Sequence, residues 1–172
     1  MPAAPHAQRE DGQVRVAALG LPVILRPYRA ADTEALAALW LAASREVHGF
    51  LGDAELRRQQ VLVAEQYLPG AETWVAEGEG AEDGHLGFIG LLDDFIGGLF
   101  VAPEAQGRGV GRALVEHALA RKGRLALEVY EANPAARAFY ARLGFVETGR
   151  RPTDDLGKPF ALIRLERAAP NS

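Results

Sequence analysis

Residues 106–111 read Gln106-Gly107-Arg108-Gly109-Val110-Gly111, between an apolar run over 95–101 and a helical pattern over 109–121. A glycine-rich turn from strand to helix constrains a chain strongly. The first N–H groups of such a helix have no intrahelical partner, and they stand at the positive end of its dipole. They can cradle a diphosphate, and Arg108 and Arg112 add positive charge beside it. The same turn without a ligand is only a tight connection. No Gly-Lys-Ser/Thr follows, so the spacing excludes a Walker P-loop.

The rest of the chain supplies a frame for that turn. Residues 21–26 are apolar and β-branched and predict a strand, while Val14, Val16 and Leu19 allow a short edge strand before it. Asp32 stands where an N-cap would, ahead of Leu36, Leu39, Trp40 and Val47 at helical spacing, which predicts a helix over 33–47. A second helix is expected over 54–68, ended by Pro69-Gly70. Strands follow over 73–77, 86–92 and 95–101, with an acidic, glycine-rich turn at 78–84 and Asp93-Asp94 closing a hairpin. Then come a helix over 109–121, a strand over 125–130, a helix over 134–143 and strands over 145–148 and 161–165. Hairpins first and a strand–helix–strand crossover later predict an α/β fold: a mixed, mostly antiparallel sheet, with 124–129 parallel to 95–101 through a right-handed crossover.

Composition narrows the function. A length of 172 residues suits one domain, here taken as 21–167, with 1–20 as a flexible leader and 168–172 as a flexible tail. The net charge of −4 argues against a protein whose main task is nucleic-acid binding. No apolar stretch is long enough to span a membrane, and the leader lacks the apolar core of a signal peptide. The absence of cysteine removes disulfides, thiolate metal sites and a thiol nucleophile, and fits a reducing, cytoplasmic location. The four histidines have no metal-ligand spacing, so no metal is expected.

The segment 106–111 resembles the acetyl-CoA signature Gln/Arg-x-x-Gly-x-Gly/Ala of the GCN5-related N-acetyltransferase (GNAT) family. The run 127–145, with Asn133, Phe139, Tyr140, Gly144 and Phe145, is similar to the family's strand, Asn cap and Ala-x-x-Phe-Tyr-x-x-x-Gly-Phe helix. The two stand in family order at family spacing, and the resemblance covers roughly 21–165. His48-Gly49-Phe50-Leu51, Tyr67-Leu68-Pro69 and the run 154–159 resemble a branch described as peptidyl-lysine acetyltransferases.

The resemblance implies a GNAT fold, with a central, splayed parallel strand pair and helices on both faces of the sheet. It implies acetyl-CoA as co-substrate, held by Gln106, Gly107, Arg108, Gly109, Val110, Gly111 and Arg112. The main chain of Leu99, Phe100 and Val101 would pair with the pantetheine arm, beside a bulge at Gly97-Gly98. An N–H near Phe100 would polarise the thioester carbonyl. Asn133 suits an N-cap before Pro134, and the resemblance adds a contact to the pantetheine region. Tyr140 would reach the thioester sulfur, where a phenol of reference pKa ~10 can give a proton to a departing thiolate. Its other reading is a half-buried packing tyrosine.

The resemblance implies a primary amine as acceptor, which must lose a proton before it attacks. His48 and the Asp93-Asp94 turn are candidate bases. His48, Phe50, Tyr67, Asp154, Asp155 and Lys158 are expected to line the amine's entry, with the aspartates attracting a cation; an acidic, solvated turn is the other reading of 154–157. Protein lysine and small amines of aminoglycoside or polyamine type both fit, as does a sensor that binds acyl-CoA without turnover. A homodimer follows from family habit alone. Without cysteine, the simplest route is direct attack within a ternary complex.

Overall fold

The computed structural model describes residues 12–18, 21–80 and 84–170. The leader expected over 1–20 lies outside these except for 12–18, as do residues 81–83 of the acidic turn and 171–172 of the tail. Eight strands form a mixed, mostly antiparallel sheet with one parallel pair, flanked by helices. The chain divides into two compact units, residues up to Leu91 with Gly98–Glu116, and Leu92–Gly97 with the residues from His117 onward.

In the first unit, β1 (Val14–Ala18), β2 (Leu21–Pro27), β3 (Glu72–Gly78) and β4 (His85–Leu92) pair antiparallel in sequence order. Alternate apolar residues on such strands bury one face. On β2 this buries Val23 and Leu25, whereas β4 is buried on every residue from Leu86 to Leu91. Helix α1 (Thr33–Val47) buries Leu36, Leu39 and Trp40. Helix α2 (Asp53–Leu62) does not run on smoothly to 68. It passes into a π turn, Val63–Tyr67, in which Leu68 N–H donates to Val63 O, and ends in α3 (Leu68–Gly70).

Asp32 departs from its expected role. It has helical backbone angles and does not cap α1. The residue is 4 % exposed, and its carboxylate is claimed by Arg26, which donates to both oxygens at 2.7 and 2.8 Å. His85 Nε2 and the Arg29 N–H lie 2.9 and 2.8 Å away, and Arg26 also reaches Glu77 at 3.2 Å. A buried guanidinium needs this much charge and hydrogen bonding, and a tertiary partner outbids a local cap. Burial opposes the charge on Asp32, yet the bonds from Arg26, His85 and Arg29 hold its pKa far below the ordinary carboxylate value. The hydrogen bond to Asp32 raises Arg26 in turn, against its own desolvation.

The first three residues of β5 (Phe95–Val101) belong to the second unit, where the strand enters parallel to β6 (Arg124–Tyr130), but the two are in register only at Phe95↔Ala126 and Ile96↔Leu127. The splay expected of the parallel pair is thus a ladder that stops after two residues, immediately before Gly97-Gly98. β8 (Leu162–Ala168) lies between β6 and β7 (Val146–Arg151), antiparallel to both. Helix α4 (Val110–Lys122) leads to β6, and α5 (Pro134–Arg142) leads to β7.

Candidate active site

Within the first unit, β5 ends at Val101, and a single 3-10 turn, Pro103–Ala105, brings the chain to residues 106–109 and α4. Gly107 and Gly109 have φ of 76° and 81°. L-residues with side chains rarely adopt such angles, so these two glycines are fixed by conformation. A Cβ on Gly107 would meet nothing within 4 Å, so packing is not what excludes it. Ala113 N–H donates to Gly109 O at 3.0 Å, the first bond of the helix. The N–H groups of Val110, Gly111 and Arg112 precede it. Gln106 turns back to donate to Val101 O at 3.3 Å, and Arg108 and Arg112 are exposed. This is a cradle of backbone donors with two arginines at its rim, which fits a diphosphate.

Leu99, Phe100 and Val101 are half-buried on β5. The Phe100 ring packs against Phe88 and Trp40, with centroids 5.3 and 6.1 Å away. Gly87 allows β4 to approach there, because a Cβ on it would lie 2.7 Å from Phe100 O.

Tyr67, at the end of the π turn, joins the same place. Its hydroxyl donates to Gly90 O at 3.2 Å and occupies the space that a Cβ on Gly90 would need. It also lies 3.3 Å from a Cβ built on Gly98. The two glycines on neighbouring strands make room for one phenol, and its burial raises its pKa well above that of a free tyrosine. His48 follows α1 directly, donating its N–H to Ser44 O, and its ring meets Phe50 edge-on at 6.0 Å. Burial lowers the His48 pKa, which favours the neutral imidazole. Phe50 is 51 % exposed.

The second unit carries the remaining residues. Asn133 caps α5 as expected, its Oδ1 accepting from Ala136 N–H at 3.1 Å. Tyr140 is buried on α5, with ring centroids of Phe139 and Phe145 5.0 and 5.3 Å away. In the 93–94 turn, Asp93 has φ of 55° and Asp94 pairs with Arg124 at 3.4 Å.

The loop after β7 is more organised than a solvated acidic turn. Asp154 is 8 % exposed, and its Oδ1 accepts from Leu156 N–H and Lys158 N–H at 3.0 and 2.9 Å. Asp155 accepts from Arg151 at 2.8 Å, while Arg151 also grips both oxygens of Glu128 at 2.7 and 3.0 Å. Lys158 is exposed. Both aspartates are therefore engaged by their own neighbours, a pairing that their place in the sequence did not disclose. Gly98, expected in a bulge beside the cofactor, also borders Tyr67, whereas Trp40 and Gly90 were not expected at the site. Gly90 was legible only as an isolated glycine inside a strand pattern, the usual mark of a close approach.

No helix among the described residues is long and apolar enough to cross a membrane, and no group of three or more candidate metal ligands occurs among them.

A mixed sheet with a short parallel join, and a strand feeding a glycine cradle at a helix N-terminus, define the acetyl-CoA-dependent N-acetyltransferase class. Comparison with known proteins agrees. The family model described as acetyltransferase (GNAT) domain matches residues 69–147. Peptidyl-lysine N-acetyltransferase YjaB of Escherichia coli (strain K12) is 40% identical over 143 residues, which is 83% of this chain and 95% of that protein. Peptidyl-lysine N-acetyltransferase YiaC of the same strain is 36% identical over 124 residues, 71% of this chain and 82% of that protein. The solution structure of apo YjaB from Escherichia coli aligns with a TM-score of 0.75 at 39% identity, covering 84% of this chain and 96% of that one.

The chain belongs to the GNAT family and is an acetyl-CoA-dependent N-acetyltransferase acting on a primary amine.

Proposed function

We propose that this enzyme acetylates the ε-amine of lysine residues in proteins, by direct attack on acetyl-CoA within a ternary complex. The likeness to YjaB carries the acceptor: 40% identity extends over 95% of a protein named as a peptidyl-lysine acetyltransferase. The cysteine-free sequence supports direct transfer, since no thiol can hold the acetyl group.

In this reading the cofactor's diphosphate rests on the N–H groups at the start of α4, with Gln106, Gly107, Arg108, Gly109 and Arg112 around it. The main chain of Leu99, Phe100 and Val101 pairs with the pantetheine arm, and Asn133 contacts the same region. An N–H near Phe100 polarises the thioester carbonyl. Tyr140 gives its proton to the leaving thiolate. His48, Phe50, Tyr67, Asp154, Asp155 and Lys158 line the amine's entry. The lowered pKa of His48 supports it as the base, because the neutral ring is the form that accepts a proton.

The test is an acceptor panel with acetyl-CoA: lysine peptides, spermidine and an aminoglycoside, read by release of free thiol and by product mass. Acetylated lysine peptide is expected, with intersecting double-reciprocal lines. Turnover of the small amines alone would replace the acceptor, and a stable acetyl-enzyme would contradict direct transfer. The reading assigns the enzyme to the cytoplasm, in keeping with the absence of cysteine. It calls for no nucleic acid. A homodimer rests on family habit and is checked by light scattering.

A further inference from the structure

Of the nineteen Lys and Arg residues, only two are lysines, Lys122 and Lys158. They are held very differently. Lys122 lies in the last turn of α4 and is half-buried. Lys158 is exposed, and its ammonium has neither an ion pair nor a hydrogen bond among the described residues.

The backbone beneath Lys158, by contrast, is closely tied. Its N–H donates to Asp154 Oδ1 at 2.9 Å, and its carbonyl accepts from Asp154 N–H at 3.0 Å and Phe160 N–H at 2.8 Å. Leu156 N–H donates to the same Oδ1, and Gly157 N–H donates to Asp154 O at 3.0 Å. Gly157 takes the turn at φ 72°. The Asp154 carboxylate is thus spent inside the turn, and Asp155 is taken by Arg151. The result is a hydrogen-bonded turn holding out an exposed lysine with no ion pair among the described residues. A lysine presented this way has its backbone ordering already met by the fold, which lowers the cost of binding as an acceptor.

We propose that Lys158 is an acetylation site for the protein's own activity. This rests on the lysine-transfer reading above. The Lys158 ammonium loses a proton to solvent or base, and the amine nitrogen attacks the thioester carbonyl. The new C–N bond forms as the C–S bond breaks, and coenzyme A departs as the thiol after taking a proton. The loop then loses one positive charge.

The full chain is incubated with acetyl-CoA, then followed by intact mass and by peptide mapping. One acetyl group is expected, on the peptide bearing Lys158. Lys122→Arg should retain it and Lys158→Arg should lose it. Heat-denatured chain reports purely chemical labelling, which should be slower by about tenfold or more, since it lacks the bound, oriented co-substrate. Acetylation confined to Lys122 or to the terminal amine would overturn the inference, as would equal labelling of Lys158 in the denatured chain. A lysine peptide is assayed alongside. Peptide acetylated with Lys158 unmodified rejects the inference and leaves the acceptor reading standing, whereas failure of both rejects both.

Discussion

At the scale of single residues, Tyr140 and Asp32 show what a side chain's surroundings add to its identity. Tyr140→Phe keeps the ring that packs between Phe139 and Phe145 and removes only the hydroxyl. It should lower kcat by about 10²-fold with little change in acetyl-CoA affinity, if the phenol donates to the leaving thiolate. Wild-type turnover in that variant would make Tyr140 a packing residue. Asp32 tests the buried ion network. Its folded pKa is depressed, so the stability that it contributes is present above the unfolded value of ~3.9 and is lost as pH falls through the folded value. Asp32→Asn removes the bidentate carboxylate from the buried Arg26 guanidinium, leaving it Glu77 alone as a charged partner, and should cost up to ~3–5 kcal/mol near neutrality. The gap between wild type and variant should narrow below about pH 4, as denaturant melts across pH would record. A gap that stayed constant with pH would remove the charge from the explanation. Asp32 also marks where local reading fails: an Asp before a helical pattern looks like a cap, and Arg26 and His85 converge on it, with Glu77 on the far side of Arg26, only once the sheet has formed.

At the scale of elements, the glycine turn was legible because its constraint is local. Gly107 and Gly109 need positive φ, and the helix that follows announces itself by its spacing. Gly109→Val should cost about 1–3 kcal/mol in backbone strain and should also place a branched side chain beside the helix N-terminus. Calorimetry should find acetyl-CoA binding sharply weakened in a variant that is still folded; unchanged affinity would move the diphosphate elsewhere. The strands were legible for the same local reason, through apolar runs bounded by turns. The π turn over 63–67 was not. Val63, Ala64, Glu65, Gln66 and Tyr67 continue an ordinary helical pattern, and nothing local signals the extra residue per turn. Its last residue makes a tertiary contact instead: the Tyr67 hydroxyl meets Gly90 O where two glycines clear the space. The 154–158 loop escaped in the same way, since Asp154 turns inward to its own backbone while its neighbour Asp155 pairs with Arg151.

At the scale of the whole molecule, the two units should respond separately to core damage. Ile163 is 1 % exposed on β8 and is in register with Val129 of β6 and with Arg150 of β7. Ile163→Ala should cost ~2–5 kcal/mol. Hydrogen exchange should quicken first in the β6, β7 and β8 amides, before those of β2 and β3. Equal loss of protection throughout would mean that the molecule opens as one cooperative body. The order β6-β8-β7 has a further consequence for a chain made from its N-terminus. β7 leaves the ribosome before β8, the strand between it and β6, has been synthesised. At translation rates of about 5–20 residues per second, it waits with its backbone groups unpaired. Glu147, Arg150 and Arg151 cover much of that short strand with charge, which is how exposed edges are kept from joining the wrong neighbour. In the folded protein the same charges pair off, Arg150 with Glu147 and Arg151 with Glu128.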